Sequence, residues 1–209
     1  MVNVGAGAGS YEPAGTVVAV EPSPVMVAQR PAGAAPAVRA VAERLPFADD
    51  VFDAALAVLT THHWSDPRTG LAELARVSAR QVVLTWDQAF TAEHFWFLTD
   101  YLPEAAEREA GLAALTTVTE VWPDAEVRVL EVPHDCTDGF FAAYWRRPQA
   151  YLVPAVREAI SGLALLDQDL VDDAIARLAA DLADGSWGRR HADLLGHTSW
   201  DCGYRLVLH

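Results

Sequence analysis

The chain has 209 residues, of which 52% are hydrophobic and 21% are charged, and its formal net charge is −14 at pH 7. These values exclude a disordered chain and suit one well-packed α/β domain with an appended helical segment. The acidic excess argues against nucleic acid as a partner, because its binding depends on phosphate neutralisation by Lys and Arg. The same negative charge does not favour binding to anionic membranes. Because neither a signal peptide nor an apolar run of membrane-spanning length is visible, we expect a cytoplasmic protein with a small-molecule substrate. The scarcity of lysine beside abundant Ala, Val, Arg and Asp suggests a bacterial coding sequence.

The amino-terminal segment is rich in glycine directly after an apolar run, since residues 4–9 read VGAGAG. Glycine tolerates a tight turn and leaves no Cβ between the main chain and a ligand. Glu21 ends the next apolar run, and a carboxylate there can accept hydrogen bonds from both hydroxyls of a ribose. The two features together predict a site for a nucleotide-like cofactor, whereas the glycines alone could form an ordinary turn.

The spacing of this segment distinguishes between cofactors. The dinucleotide fingerprint is G-x-G-x-x-G with an acidic residue about 20 positions further on. Here the pattern is G-x-G-x-G, and only twelve positions separate Gly9 from Glu21. This spacing favours S-adenosylmethionine over NAD, because the loop would then face a methionine tail instead of a pyrophosphate. A nicotinamide-dependent oxidoreductase is the less favoured alternative.

A second motif follows in residues 42–64. Residues 42–53 read AERLPFADDVFD and resemble the A-E-x-L-P-F-x-D-x-x-F-D segment of class I S-adenosylmethionine-dependent methyltransferases. Residues 54–64 read AALAVLTTHHW and are similar to the fourth strand of that family and its H-H-W ending. The resemblance, to small-molecule enzymes of the methyltransferase type 11 kind, covers residues 1 to about 87. It implies S-adenosylmethionine as cofactor and methyl transfer to a small-molecule acceptor.

The resemblance also implies which residues bind the cofactor. The methionine end is expected on the backbone of the glycine loop, the ribose on the acidic strand end, the adenine beside residues 42 and 43, and the methionine amino group near residue 59. The implied cofactor-binding residues are Gly5, Ala6, Gly7, Gly9, Glu21, Ala42, Glu43 and Leu59.

Three features depart from the family pattern. Asn3 and Val41 stand where the family commonly has acidic residues that contact the amino group and the adenine. Residues 10–16 leave room for little more than one turn of the usual first helix, since proline disrupts a helix interior. The short segment before the glycine loop also predicts weak cofactor binding, or a homodimer in which a neighbouring chain covers the cofactor. These departures favour the alternative of a weak or inactive cofactor-binding protein.

Seven apolar segments are predicted as strands, and their near-continuous apolar character is typical of a parallel sheet buried on both faces. Alternating apolar and charged residues in the sixth segment favour a strand with one solvent-exposed face. By resemblance, the α/β fold is doubly wound, with strand order 3-2-1-4-5-7-6, an antiparallel last strand and helices on both faces. The predicted strands are residues 1–4, 17–20, 38–41, 53–58, 81–86, 127–132 and 204–208.

Helices are predicted from apolar residues recurring at helical spacing. One helix is expected around residues 66–79, and a long aromatic helix over 91–110, with Pro103 as a point of interruption. Gly185 is expected to end another, whose apolar stripe is Val171, Ile175, Leu178 and Leu182. We expect a single Rossmann-like domain over residues 1–209, with a mostly helical insertion at 133–203.

Polar and aromatic residues after the fourth and fifth strands are candidates for catalysis and substrate binding, because ligands bind at the carboxyl ends of parallel strands. A neutral imidazole of His62 or His63 could accept a proton during methyl transfer, or the two side chains could position the substrate or only shape the loop. Trp86 and Asp87 are candidates for substrate binding, although Asp87 could equally cap a helix.

A further polar cluster begins at residue 134. The loop is predicted to line the substrate pocket, and its candidate substrate residues are His134, Asp135, Tyr144 and Arg146. His134, Asp135 and Cys136 are potential metal ligands, but adjacent residues point in different directions from one strand or turn. No metal site is therefore predicted. Cys136 and Cys202 form no metal-type pair.

Overall fold

The computed structural model describes residues 1–105, 114–164 and 166–209. Its contacts divide the chain into two compact units. The sheet unit comprises Met1–Asp87, Ala113–Val129 and Arg205–His209, and the helical unit comprises Gln88–Leu112 and Leu130–Tyr204. The expectation of a single domain over residues 1–209 stays a prediction. The helical unit contains the predicted insertion at 133–203 and also residues 88–112, which the sequence did not assign to it.

A seven-stranded sheet forms the centre of the sheet unit and has the order β3-β2-β1-β4-β5-β9-β6. Since β7 and β8 form a separate pair, this is the predicted order 3-2-1-4-5-7-6, and the fold class is confirmed. The last strand of the chain, β9, is antiparallel to β6. The strands of this sheet are β1 (Val2–Val4), β2 (Val18–Val20), β3 (Ala37–Val38), β4 (Ala55–Val58), β5 (Gln81–Trp86), β6 (Glu126–Val129) and β9 (Tyr204–Leu208).

The register of the parallel strands brings their carboxyl ends to one edge of the sheet. Val4 lies opposite Val20 in the β1–β2 pair, and Val58 lies opposite Leu84 in the β4–β5 pair. All three residues of β1 are buried, because side chains on both faces of this central strand are covered. The loops that follow β1, β2, β4 and β5 therefore begin along the same edge.

Helices of the sheet unit place apolar residues against the sheet. Helix α2 (Pro67–Val77) begins after Asp66, whose carboxylate accepts hydrogen bonds from the backbone of Arg68 and Thr69 at 3.1 and 3.2 Å. It buries Leu71, Leu74 and Val77, which confirms the predicted helix. The unit also contains α1 (Pro24–Ala28) and α5 (Ala114–Val121).

The helical unit has its own, largely aromatic core. Phe97 and Tyr151 stack with ring centroids 4.3 Å apart, and both are fully buried. The indole nitrogen of Trp96 donates to the carbonyl of Trp145 at 2.7 Å, so the two tryptophans share a satisfied polar contact inside the core. The α-helices here are α3 (Gln88–His94), α4 (Trp96–Tyr101), α6 (Pro154–Ala159), α7 (Ser161–Ala164), α8 (Gln168–Ala183) and α9 (Ser186–Arg190).

The segment predicted as a helix over residues 91–110 is mostly helical where the structure describes it. The predicted interruption at Pro103 is confirmed to within one residue: helix α4 ends at Tyr101 and Leu102 leaves the helical region, because the residue before a proline avoids it. A second break, which was not predicted, separates α3 from α4 at Phe95, which is extended with φ −86° and ψ 110°. Residues 106–110 of that prediction lie outside the described residues.

Two of the predicted strands differ in detail. β3 covers only Ala37–Val38, where residues 38–41 were predicted. All four residues of β6, the edge strand, are exposed, so the expectation that only one face is exposed is wrong. Within the predicted helical insertion, β7 (Val132–Pro133) pairs with β8 (Ser199–Trp200).

Helix α8 confirms the predicted apolar stripe, and Gly185 lies just beyond its end with its backbone in the left-handed region. No helix among the described residues is long and apolar enough to cross a membrane.

Candidate cofactor site

The glycine loop follows β1 and has the backbone conformation that its sequence predicts. Gly5, Gly7 and Gly9 have φ values of 70°, 53° and 93°, in the left-handed region that favours glycine. A Cβ at Gly5 would lie 2.0 Å from the hydroxyl oxygen of Thr60, so no other residue fits there. A Cβ at Gly7 would meet nothing within 4 Å, which leaves open space beside the loop.

Backbone hydrogen bonds hold this loop against the end of β2. The N–H groups of Gly5 and Ala6 both donate to the carbonyl of Val20, at 2.9 and 3.1 Å, and Gly9 N–H donates to the carbonyl of Ala6 at 3.0 Å. These amides already have acceptors within the protein. The loop therefore offers a ligand close approach to its backbone rather than free donors at these positions.

Glu21 is a buried carboxylate at the end of β2, 8% exposed. One oxygen accepts the N–H of Gly7 and the other accepts the N–H of Ser23, both at 2.9 Å. A carboxylate offers about four acceptor positions, so each oxygen keeps capacity for a further donor such as a ribose hydroxyl. The predicted ribose-binding residue is thus also the residue that fixes Gly7.

Leu59 follows β4 at the same edge of the sheet. Its φ of 49° places a branched side chain in the left-handed region, and its N–H donates to the carbonyl of Leu84 at 2.8 Å. Such conformations cost about 1–3 kcal/mol and concentrate at functional sites. The strain accompanies a tight exit from β4 that brings Thr60 against Gly5, a contact that the sequence motif does not reveal.

Ala42 and Glu43 lie in the turn that follows β3. Ala42 is buried, and the carboxylate of Glu43 accepts the N–H of Asp66 at 3.0 Å. This bond connects the turn to the start of α2. A role for the two residues beside adenine stays a prediction.

His62 and His63 form a 3₁₀ turn after β4, and their rings approach to 3.8 Å between centroids. The ring of His62 also meets Trp86 edge-on at 4.6 Å. Partial burial of the ring beside Trp86, together with the charge of His63, lowers the pKa of His62 to about 4, although the residue as a whole is exposed to solvent. His62 is therefore neutral at pH 7.

This lowered pKa predicts a pH dependence of stability. Protonation of His62 is easier in the unfolded chain, so its contribution to folding is complete above about pH 6.5 and is lost as the pH falls towards 4. Because the ring is partly exposed, solvent screening keeps the effect to about 1 kcal/mol or less, or about 2–4 °C in unfolding temperature. Thermal unfolding from pH 7 to pH 4 should show a smaller decline for His62→Gln than for the wild type. An equal fall in unfolding temperature for the two proteins would contradict a lowered pKa for His62.

The remaining candidate residues divide between the two units. Trp86 and Asp87 end the β5 segment, half-buried, and Asp87 directly precedes α3 at Gln88. A capping role for Asp87 therefore concerns the start of α3, three residues earlier than the sequence suggested. Neither residue's predicted role in substrate binding is tested by this placement.

The other substrate candidates lie in the helical unit. His134 is joined to the Thr198 carbonyl through its backbone N–H at 2.9 Å, and Asp135 is exposed. The guanidinium of Arg146 donates to the His197 carbonyl at 2.8 Å, and Arg147 rather than Arg146 lies over the ring of Tyr144, at 5.0 Å. The helical unit thus brings Arg147, which the sequence did not single out, next to a predicted substrate residue.

The fold and the loop define the class of this protein: a doubly wound α/β protein with a glycine loop and a buried acidic residue at the carboxyl edge of its sheet. Known proteins identify the class further. Residues 2–84 match the family described as a methyltransferase domain. No curated protein matches the chain.

Several solved structures resemble the chain over 99% of its length, among them the following two. One, described as a methyltransferase from an antibiotic biosynthesis pathway of Anabaena variabilis, is 33% identical, with 89% of that chain covered and a TM-score of 0.87. The other, described as a type II methyltransferase of Anaeromyxobacter dehalogenans, is 18% identical, with 85% covered and a TM-score of 0.52, and shares the fold. The chain belongs to the class I S-adenosylmethionine-dependent methyltransferases.

Proposed function

We propose that this protein transfers a methyl group from S-adenosylmethionine to a small-molecule acceptor. The observation that carries the proposal is the arrangement of Gly7 and Glu21, in which a buried carboxylate holds the glycine loop and keeps acceptor capacity for a ribose. Open space beside Gly7 fits the close approach of a cofactor. Family membership and the 33% identical relative support the same reading.

The residues present fit the cofactor, and each has a distinct task. Glu21 binds the ribose, the glycine loop with Gly5, Ala6, Gly7 and Gly9 allows close backbone approach, and the region of Leu59 orients the methionine end. When bound, S-adenosylmethionine supplies an electrophilic methyl group on a sulfonium. The protein holds the acceptor in line with that methyl group and excludes water, because orientation and desolvation supply most of the rate in such a displacement.

His62 is proposed to position the acceptor rather than to remove its proton, and His63 is the remaining candidate for the base. A general base works best when its pKa lies near the working pH, and the pKa of His62 is about 4. The edge-on contact of His62 with Trp86 restricts the orientations of the ring, which suits a positioning role.

Substitution of each histidine by glutamine tests this role. His62→Gln should lower turnover by less than about tenfold, whereas His63→Gln should lower it by about 10²-fold or more if His63 is the general base. Neither change should alter the affinity for S-adenosylhomocysteine measured by calorimetry. A loss of turnover of about 10²-fold or more in His62→Gln would instead assign His62 as the base.

The acceptor is proposed to be a small molecule of a biosynthetic pathway. The Anabaena relative is described as a protein of antibiotic biosynthesis, and the net charge of −14 disfavours nucleic acid as the acceptor. His134, Asp135, Tyr144 and Arg146, with Trp86 and Asp87, are the proposed substrate residues. A cytoplasmic location and a homodimer remain part of the proposal.

The test has two stages. Thermal-shift screening should show stabilisation by S-adenosylhomocysteine and none by NAD, and the reverse would favour the oxidoreductase alternative. The protein is then incubated with methyl-labelled S-adenosylmethionine and fractionated small-molecule extracts, with extract alone as control. Transfer of label confirms an enzyme, whereas binding without transfer to any fraction would favour the inactive cofactor-binding protein.

A further inference from the structure

A buried ion pair lies beside the glycine loop and was not apparent from the sequence. The guanidinium of Arg30 binds the carboxylate of Glu12, and the two side chains are only 5% and 9% exposed. Both also hold the backbone of Ala35: its N–H donates to Glu12 at 2.6 Å, and its carbonyl accepts from Arg30 at 3.1 Å. The Glu12–Arg30 pair therefore joins the segment after Gly9 to the loop before β3.

The same guanidinium reaches the glycine loop. A second nitrogen of Arg30 donates to the carbonyl of Gly7 at 3.3 Å. The same nitrogen lies 3.4 Å from the position that a Cβ would take if residue 9 were not glycine. The N–H of Gly7 donates to Glu21 at 2.9 Å. Gly7 is thus held by an anion at its N–H and by a cation at its carbonyl.

The position of the pair matters because no helix follows the glycine loop. Residues 10–16 form only turns, so the row of N–H groups that a helix would provide there is absent. Burial of two charges is expensive, and a buried ion pair is weak evidence for a role in stability alone. Its contact with Gly7 points instead to the shape and the charge of the cofactor loop.

We propose that Glu12 and Arg30 are positioning residues for the cofactor: together they fix Gly7, and Glu12 neutralises the Arg30 cation beside the loop. The inference rests on the proposed function. Neutralisation matters because S-adenosylmethionine carries a positive sulfonium that S-adenosylhomocysteine lacks. An unpaired cation at this position disfavours the first ligand more than the second, and an unpaired anion does the opposite.

Calorimetry with both ligands at pH 8 tests this charge effect. Glu12→Gln should raise the ratio of the Kd for S-adenosylmethionine to the Kd for S-adenosylhomocysteine by about threefold or more, the scale of one unbalanced charge acting in a partly solvated site. Arg30→Met should lower the ratio. The double variant should restore the wild-type ratio while binding both ligands more weakly, because Gly7 is no longer fixed. A merely structural role would weaken both ligands equally in all three variants.

Arg76→Met provides the matched control. Arg76 pairs with Glu73 in the same unit and also donates to the backbone carbonyls of Phe47 and Leu45, at 2.8 and 3.0 Å. Loss of the Arg76 guanidinium should lower the unfolding temperature without changing the ratio of the two Kd values. Should Arg30→Met fail to fold, Arg30→Lys keeps the charge, and it should weaken both ligands while leaving the ratio unchanged.

Failure of the proposed function and failure of the inference about Glu12 and Arg30 give different results. Wild-type protein that binds neither ligand would overturn the proposed function, and this inference with it. Wild-type protein that binds both, with folded Glu12→Gln and Arg30→Met variants that keep its ratio, would overturn the inference alone.

Discussion

Glu21→Ala should weaken S-adenosylhomocysteine binding by about 1.5–3 kcal/mol, or roughly ten- to a hundredfold in Kd, the scale of lost hydrogen bonds to a charged group. Two losses combine in this change. The ribose hydroxyls lose their acceptor, and the N–H groups of Gly7 and Ser23 lose the carboxylate that holds them. Glu21→Gln should also weaken binding. The amide nitrogen of glutamine is a donor, so it cannot accept the N–H of Gly7 or Ser23 that one carboxylate oxygen accepts in the wild type.

Glu73→Ala is the control for a general loss of stability. The carboxylate of Glu73 also accepts a backbone N–H, that of Leu45 at 2.8 Å, but it has no contact with the glycine loop among those described. Its loss should lower the unfolding temperature and leave the affinity unchanged. An unaltered Kd for a folded Glu21→Ala variant would mean that the ribose lies elsewhere.

The sheet could be predicted from the sequence because its signals are local. The apolar runs at residues 1–4, 81–86 and 204–208 correspond closely to β1, β5 and β9, because each run is mostly apolar. All three residues of β1 are buried, whereas residues in β5 and β9 alternate between buried and half-buried. The motif of residues 42–64 then supplied the order of the sheet. Edge strands carry weaker signals, and the exposure of β6 shows that alternation alone does not imply a covered face.

The helical unit was predicted less well because its structure depends on distant partners. β7 and β8 contribute two residues each, lie far apart in the chain and include Pro133, which no strand pattern favours. The break at Phe95 has no glycine or proline to mark it. There the ring of Phe95 lies edge-on to Phe141 at 5.4 Å, a tertiary contact that overrides the local preference for helix.

The candidate site was predicted in its residues but not in its internal contacts. Glycines and an acidic strand end can be read from spacing, and Glu21 indeed lies beside the loop. By contrast, the contacts of Arg30 with Gly7 and with Glu12 join segments that are distant in the chain. A pair of opposite charges 18 positions apart, with three prolines and one glycine between them, has no periodicity that a sequence pattern could detect.

Gly5→Ala should destabilise the fold by about 2–5 kcal/mol, which lowers the unfolding temperature by about 5–15 °C. The new methyl group would lie 2.0 Å from the hydroxyl oxygen of Thr60 and 2.7 Å from its Cβ and Cγ2. Thr60 is buried and branched at Cβ, so it has little freedom to move aside. The left-handed backbone of Gly5 adds about 1–2 kcal/mol of strain for any other residue.

Gly7→Ala is the matched comparison, because it has the same left-handed strain without the clash. Its φ is 53°, and its new methyl group meets nothing within 4 Å. Only about 1–2 kcal/mol of stability should be lost, whereas S-adenosylhomocysteine affinity should fall because the methyl group enters the space where the cofactor approaches the backbone. Thermal unfolding and calorimetry of the two variants therefore separate a glycine required by Thr60 from one required by the ligand. Equal losses of stability in both would show that backbone strain, and not the contact with Thr60, selects glycine at position 5.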